Sequence, residues 1–187
     1  PKIAAVAKKY GADVPFLRPK KFAGDSSPDI EFMQHAIAWL RKNRGWKPEI
    51  LVSLRPTSPL RRPSDIDRVI KTALEENCTL VKTVSSPAPH NPFKMWRMKN
   101  DAGPSMQPLI RNQFYAKLGT DAPRQILPAA YWQNGLVDAI RVSTLKKGQG
   151  AFFKRVCGVI TSPEYSIDLD SREDFKRAEM IIQKLSR

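Results

Sequence analysis

Residues 49–84 open with Glu49-Ile50-Leu51-Val52-Ser53-Leu54 and run into Arg55-Pro56-Thr57-Ser58-Pro59-Leu60-Arg61. They then carry Ile66, Val69, Ile70, Ala73 and Leu74 and close on Thr79-Leu80-Val81-Lys82-Thr83-Val84. The first apolar run reads as a short strand buried on both faces, and the last as a second strand. Between them the apolar residues recur at helical spacing, with Ser64 as the expected cap. Strand, capped helix and strand within about 35 residues make a βαβ unit, so the sheet is at least partly parallel.

Upstream, Ile3, Val6, Ala7 and Tyr10 fall at helical spacing and Gly11 closes them as a C-cap. A domain seldom opens inside a helix and no initiator Met precedes this one, so a further upstream segment is expected. Val14-Pro15-Phe16-Leu17 reads as a short extended piece. Ser27-Pro28-Asp29 is a helix entry, with Ser27 as N-cap and Pro28 at the first position. Ile30, Met33, Ile37 and Leu40 follow, and Gly45 stops the helix after Arg44.

Downstream of Val84 the character changes. Residues 85–135 hold Pro87, Pro89, Pro92, Pro104, Pro108, Pro123 and Pro128 with no helical period, which predicts a loop-rich or short-stranded excursion from the main sheet. Asn134-Gly135 is a turn signal, and Leu136–Val142 and Val156–Ile160 read as strands. Ser166–Asp170 is extended and Ser171 opens a last helix. Asp174 sits there in a capping-box position, and Phe175, Ala178, Ile182 and Leu185 form the expected buried stripe.

The 187 residues are 41% hydrophobic and 27% charged, a globular composition large enough for one self-sufficient domain. Thirty-two Lys+Arg against 18 Asp+Glu give a net charge of +14. The basic clusters, such as Arg41-Lys42-Asn43-Arg44 and Lys154-Arg155, stay below the five or six like charges, roughly, that mark a basic tail. The charge therefore favours a small anionic ligand, and nucleic acid is expected to associate only weakly and to release with salt. Cys78 and Cys157 are too few for a disulfide framework and point to a reducing cytoplasm. His35 and His90 stand alone, and the absence of C-x-x-C and H-x-x-x-H spacings excludes a structural zinc site. No apolar run spans a bilayer, and Ile3–Ala7 is too short for a signal-peptide core. A soluble, cytoplasmic domain is expected.

Chemistry concentrates in three places. Asp168 and Asp170, two apart in an extended segment, share a face while Ile167 and Leu169 point to the core. Two carboxylates that close suit a hard divalent cation such as Mg²⁺ bridging to phosphate, or they enrich the start of the last helix in negative charge. The Arg55–Arg61 loop leaves the carboxyl end of its strand, where open α/β sheets bind ligands, and is either a donor-rich cradle or a proline-braced connection. Lys94 and Arg124 lie in the excursion, and the guanidinium fork of Arg124 matches a carboxylate; each alone is an ordinary surface charge. Gly148-Gln149-Gly150 leads into Ala151-Phe152-Phe153 and is not a dinucleotide fingerprint, and no Walker-type loop exists. His90 and Cys157 lack the third group of a nucleophilic triad.

Four segments together resemble one family. Asp13-Val14-Pro15-Phe16-Leu17-Arg18-Pro19, Leu54-Arg55-Pro56-Thr57-Ser58-Pro59-Leu60-Arg61, Pro123-Arg124-Gln125-Ile126-Leu127-Pro128 and Ile167-Asp168-Leu169-Asp170-Ser171 are similar, in order, to motifs of the acylneuraminate (CMP-sialic acid synthetase-like) cytidylyltransferases. The resemblance implies an α/β fold of nucleotide-diphospho-sugar transferase type: a mostly parallel mixed sheet with helices on both faces. It also implies a small inserted dimerisation subdomain at about residues 90–142, and so a homodimer. The implied reaction moves CMP from CTP to the anomeric hydroxyl of a nonulosonic acid and releases pyrophosphate. Asp168 and Asp170 then match the Mg²⁺-holding aspartates, and Lys94 and Arg124 the residues that serve the acidic sugar. Three departures accompany it. The family's N-terminal strand and nucleotide loop would precede Pro1, so this chain alone is expected to be inactive. Arg55 stands where sialic-acid enzymes usually have Gln, and Asp138 where they commonly have Tyr. Both bear on the sugar, so legionaminic, pseudaminic or a related acid fits as well as sialic acid. Phe152 and Phe153 correspond either to a sugar-contacting aromatic pair or to core packing. Alternatives are a non-catalytic remnant or basic binding module of the same fold, and a cytidylyltransferase for another 2-keto sugar acid.

Overall fold

The computed structural model describes residues 2–24, 26–87, 90–99, 103–110, 122–145 and 154–185. Phe152 and Phe153 lie outside them. Helix α1 (Lys2–Lys9) precedes α2 (Asp29–Arg44), β1 (Ile50–Ser53), α3 (Pro63–Glu75) and β2 (Leu80–Ser85). A short hairpin of β3 (Trp96–Met98) and β4 (Met106–Pro108) follows. Then come β5 (Trp132–Arg141), the single turn α4 (Val142–Leu145), β6 (Val156–Ile160) and α5 (Arg172–Leu185). Strand β6 coincides with its sequence-based expectation at both ends.

The main sheet has the order β1-β5-β2-β6. Strand β5 runs antiparallel to both β1 and β2, and β2 pairs β6 in parallel. The expected βαβ unit is present, since β1 and β2 point the same way, but β5 is inserted between them. Three strands share a direction, yet only one of the three pairings is parallel, which corrects the expectation of a mostly parallel sheet. Strand β1 is accordingly an edge strand, half-buried along its length and not enclosed on both faces. Strand β5, which follows the excursion, is central to this sheet.

Side-chain alternation along the strands sends two sets to opposite faces. Val52, Val81, Val137, Ala139 and Val159 meet Val69 and Ala73 of α3, while Leu51, Leu80 and Ile140 meet Met33 and Ile37 of α2. Helices thus cover both faces, as expected. Helix α2 begins at Asp29 with Pro28 as N-cap; Ser27 Oγ instead accepts from Gly24 N at 3.1 Å. Gly45 ends the helix at φ +67, a left-handed conformation that favours glycine. In α3 the cap position is Arg62, not Ser64. There the fully buried Asp65 receives both arms of Arg62 at 3.0 Å. This fork raises the Arg62 pKa, and its guanidinium also stacks on Tyr165, so the start of α3 is fastened to the chain after β6. The expected buried stripe of α5 is reduced to Ala178, with Phe175 57% and Leu185 57% exposed.

Cys78, in the core, is joined to Cys157 of β6 by a disulfide with Cα atoms 6.1 Å apart. A count of two cysteines did not anticipate this bridge, and it removes Cys157 as a nucleophile partner for His90. Among the described residues no helix is long and apolar enough to cross a membrane.

Candidate functional site

The parallel strands β2 and β6 end on the same edge of the sheet, where β5 begins. Ligands bind outside such carboxyl ends because the strands diverge and the following loops leave a crevice. Here a cavity of about 680 Å³ is lined by Ser86, His90, Trp132, Asp168, Asp170 and Arg177, among others. A second, of about 280 Å³, is lined by Asn91, Arg124 and Tyr131 and shares Ser86 and Pro87 with the first. The aspartates and Arg124, more than forty residues apart in sequence, therefore occupy neighbouring clefts on either side of Ser86-Pro87.

The segment carrying the aspartates is irregular, not a strand, but keeps the expected alternation. Ile167 is buried with Leu60 and Ala178, Leu169 packs beside them, Asp168 is half-buried and Asp170 exposed. What holds it is a polar knot that the sequence reading missed. Asn134, 2% exposed, donates from Nδ2 to Thr161 Oγ1 at 2.7 Å and to Ser166 Oγ at 2.9 Å. Its Oδ1 accepts from Leu136 N at 3.3 Å. Asn134-Gly135 is thus no hairpin turn: it is a bulge inside β5, where the register against β2 shifts between Lys82 and Val84. Gly135 adopts φ +68, and a Cβ there would come within 3.2 Å of Arg55 Cδ. The turn chemistry was legible in the sequence; that it would act inside a strand was not.

The Arg55–Arg61 loop braces this bulge. Arg61 donates from Nε to the Leu136 carbonyl and from an Nη to the Arg55 carbonyl, and burial pushes its pKa down. Ser58 Oγ donates to the Gly135 carbonyl at 3.3 Å, and the Thr57 carbonyl accepts from Leu169 N at 2.8 Å. Two of the loop's side-chain donors, Ser58 and Arg61, are thus used on the protein's own carbonyls.

The other expected site residues are more dispersed. Arg55 is exposed beside Gly135. Lys94 is half-buried in the 3-10 turn Pro92–Lys94, next to Asn91. Asp138 faces Lys82 across the β5–β2 pair at 3.3 Å, with side chains 15% and 22% exposed. None of these three lines either cleft.

One feature of the carboxylate cleft is chemically unsettled. Asp168 Oδ1 is enclosed and has no hydrogen-bond partner among the described residues, and Ser85 Oγ, next to the lining Ser86, is the same. An enclosed carboxylate oxygen without a donor is costly unless a cation meets it. No group of three or more His, Cys, Asp or Glu side chains could hold a metal among the described residues. Two carboxylates without further protein ligands fit Mg²⁺, which retains waters and completes its shell with substrate phosphates.

An α/β chain with a carboxylate cleft at the carboxyl ends of two parallel strands carries its candidate site where open α/β sheets bind ligands. Comparison with known proteins makes the likeness specific. No family model matches the chain. It is 28% identical over 185 residues to the post-translational flagellin modification protein B of Campylobacter coli, covering 97% of this chain and 73% of that one. It is 29% identical over 183 residues to the CMP-N,N'-diacetyllegionaminic acid synthase of Campylobacter jejuni, covering 96% and 72%. With the N-acylneuraminate cytidylyltransferase of Escherichia coli it shares 27% over 185 residues, 98% of this chain but 40% of the longer relative. The resemblance to the acylneuraminate cytidylyltransferases carried by the four motifs is thereby borne out along nearly the whole chain.

Proposed function

We propose that this protein serves a Mg²⁺-dependent cytidylyltransferase that moves CMP from CTP to an acidic nonulosonic sugar and releases pyrophosphate. The observation that carries the reading is that Asp168 and Asp170 line one cavity of about 680 Å³, with Asp168 Oδ1 enclosed and without a hydrogen-bond partner among the described residues. In this reading Asp168 and Asp170 hold the cation, whose chemistry when bound is to neutralise charge on the phosphates. Arg124, in the adjoining cleft, takes the sugar carboxylate with its planar fork. Lys94, in the 3-10 turn that follows Asn91 of that cleft, adds positive charge to this region. Arg55 and Asp138, near the Gly135 bulge and on β5, bear on sugar identity through the position of that bulge. The chain's contribution is positioning and electrostatics more than covalent chemistry.

A homodimer belongs to this reading. Trp96, Met98, Met106 and Leu109 on and beside the β3–β4 hairpin are 44%, 50%, 52% and 47% exposed, an apolar surface suited to a second copy. So does a cytoplasmic setting, where CTP is available.

The test is to incubate the full-length protein with CTP, Mg²⁺ and a panel of sialic, legionaminic, pseudaminic and other 2-keto sugar acids. Pyrophosphate release with at least one acid is expected. Asp168→Asn should lower turnover by about a hundredfold or more with the melting temperature unchanged, since it removes charge at the site and no core packing. Sugar or nucleotide binding without turnover would make the chain a non-catalytic module of the same fold. Unchanged turnover with a lower melting temperature would return the aspartates to a helix-start role.

A further inference from the structure

We propose that Arg177 of α5 is a phosphate-contacting residue of the carboxylate cleft, an inference that rests on the function proposed above. The cleft's titratable lining consists of His90, Asp168, Asp170, Asp174 and Arg177. Arg177 is the one permanently charged cation among them. Without it, a polyphosphate entering the cleft meets three carboxylates and no permanent positive charge. With a divalent cation on Asp168 and Asp170, the guanidinium would balance the remaining carboxylate, so that the carboxylates of the lining would no longer repel an anion.

The cation is also uncommitted. The neighbouring acid, Asp174, is tied to the helix start: its Oδ2 accepts from Ser171 N at 2.9 Å and Ser171 Oγ at 2.7 Å. Asp174 feels the charge of Arg177, but no ion pair within 4.0 Å joins Arg177 to any described residue. Its five donors are therefore available in a fork that matches two phosphate oxygens. Arg177 stands on a firm base, because Ala178 beside it is 4% exposed and packs on Leu60 and Ile167.

Phosphate, and not the sugar carboxylate, is the anion that fits. A hard cation held by Asp168 and Asp170 draws phosphate oxygens into this cleft. Arg124, the guanidinium assigned above to the sugar carboxylate, lines the other cleft, across Ser86-Pro87.

The experiment is calorimetric titration of the full-length protein with inorganic pyrophosphate in the presence of Mg²⁺, paired with steady-state kinetics. Arg177→Gln should weaken pyrophosphate binding about tenfold and raise KM for CTP to a similar degree. KM for the sugar acid and the melting temperature should stay unchanged, and Arg177→Lys should recover part of the loss. A wild-type protein that does not bind pyrophosphate, or an Arg177→Gln variant that binds it equally well, overturns the proposal. So does a change confined to KM for the sugar acid. If pyrophosphate binding responds to Arg177 but no sugar acid yields a CMP-sugar, the proposed reaction fails while the phosphate contact stands.

Discussion

The two clefts beside Ser86-Pro87 are held in opposite ways. The carboxylate wall, residues 166–170, has no regular structure, yet its ties come from far along the chain. Asn134 reaches Ser166 across 32 residues, and Leu169 N donates to the Thr57 carbonyl. The arginine wall is built from local turns: Phe93 N to Asn91 Oδ1 at 2.9 Å, Lys94 N to the Asn91 carbonyl at 2.9 Å and Ile126 N to the Pro123 carbonyl at 3.2 Å. Long-range bonds buried under the sheet fix a geometry, whereas local turns at the surface open at lower cost. In the proposed reaction the phosphates meet the rigid wall and the sugar meets the adaptable one.

Breaking the long-range ties should therefore have the larger effects. The largest is expected for Cys157→Ser, because the bridge to Cys78 closes a span of 79 residues and pins β6, from whose end the carboxylate wall hangs. Its loss should lower unfolding stability by about 2–4 kcal/mol in urea titrations without reductant. A thiol assay of the denatured protein should find no free cysteine there, and two free thiols with an unchanged urea midpoint would remove the bridge from the account.

Next comes Asn134→Ala, which leaves Thr161 and Ser166 without their buried donor. A loss of about 2 kcal/mol is expected, with turnover down about tenfold as Asp168 drifts. The matching variant on the other wall, Asn91→Ala, removes only a local cap and should cost about 1 kcal/mol or less. Equal losses from the two variants would break the comparison.

The smallest effect concerns the junction of the carboxylate wall with α5. Hydrogen bonds from Ser171 hold the Asp174 carboxyl below its ordinary value of 3.8. Its contribution is thus present above pH 3.8 and lost as pH falls through the lower folded-state value. Asp174→Asn should melt slightly lower than the wild type at pH 7, and the two melting curves should converge in more acidic solution. Parallel curves down to pH 2 would show that the capping box carries no net stability.

Local chemistry was readable from the chain alone. Gly45 as a helix stop, Val156–Ile160 as a strand and Ser171 with Asp174 as a capping box each depend on residues within a few positions of one another. So did the four motifs, whose order along the chain pointed to the same family as the relatives later did. The pairing of Asp168 with Asp170 was legible for the same reason, since two residues apart on an extended chain face one way.

Partners distant in sequence were decided only by the tertiary structure. The apolar run at residues 50–53 specifies a strand but not its neighbour, so the insertion of β5 between β1 and β2 left no sequence signature. Asn134-Gly135 carries the same preference for positive φ in a turn or in a bulge, and the strands on either side chose the bulge. The apolar spacing of α5 predicts a stripe, but burial needs a surface opposite it, and among the described residues the core reaches only Ala178 fully. The ion pair of Asp138 with Lys82 likewise has no sequence signature, since it depends on the register of β5 against β2. Sequence spacing determines what lies within a turn of a residue; which elements meet depends on how they pack, because burial and hydrogen bonding are satisfied by the whole chain at once.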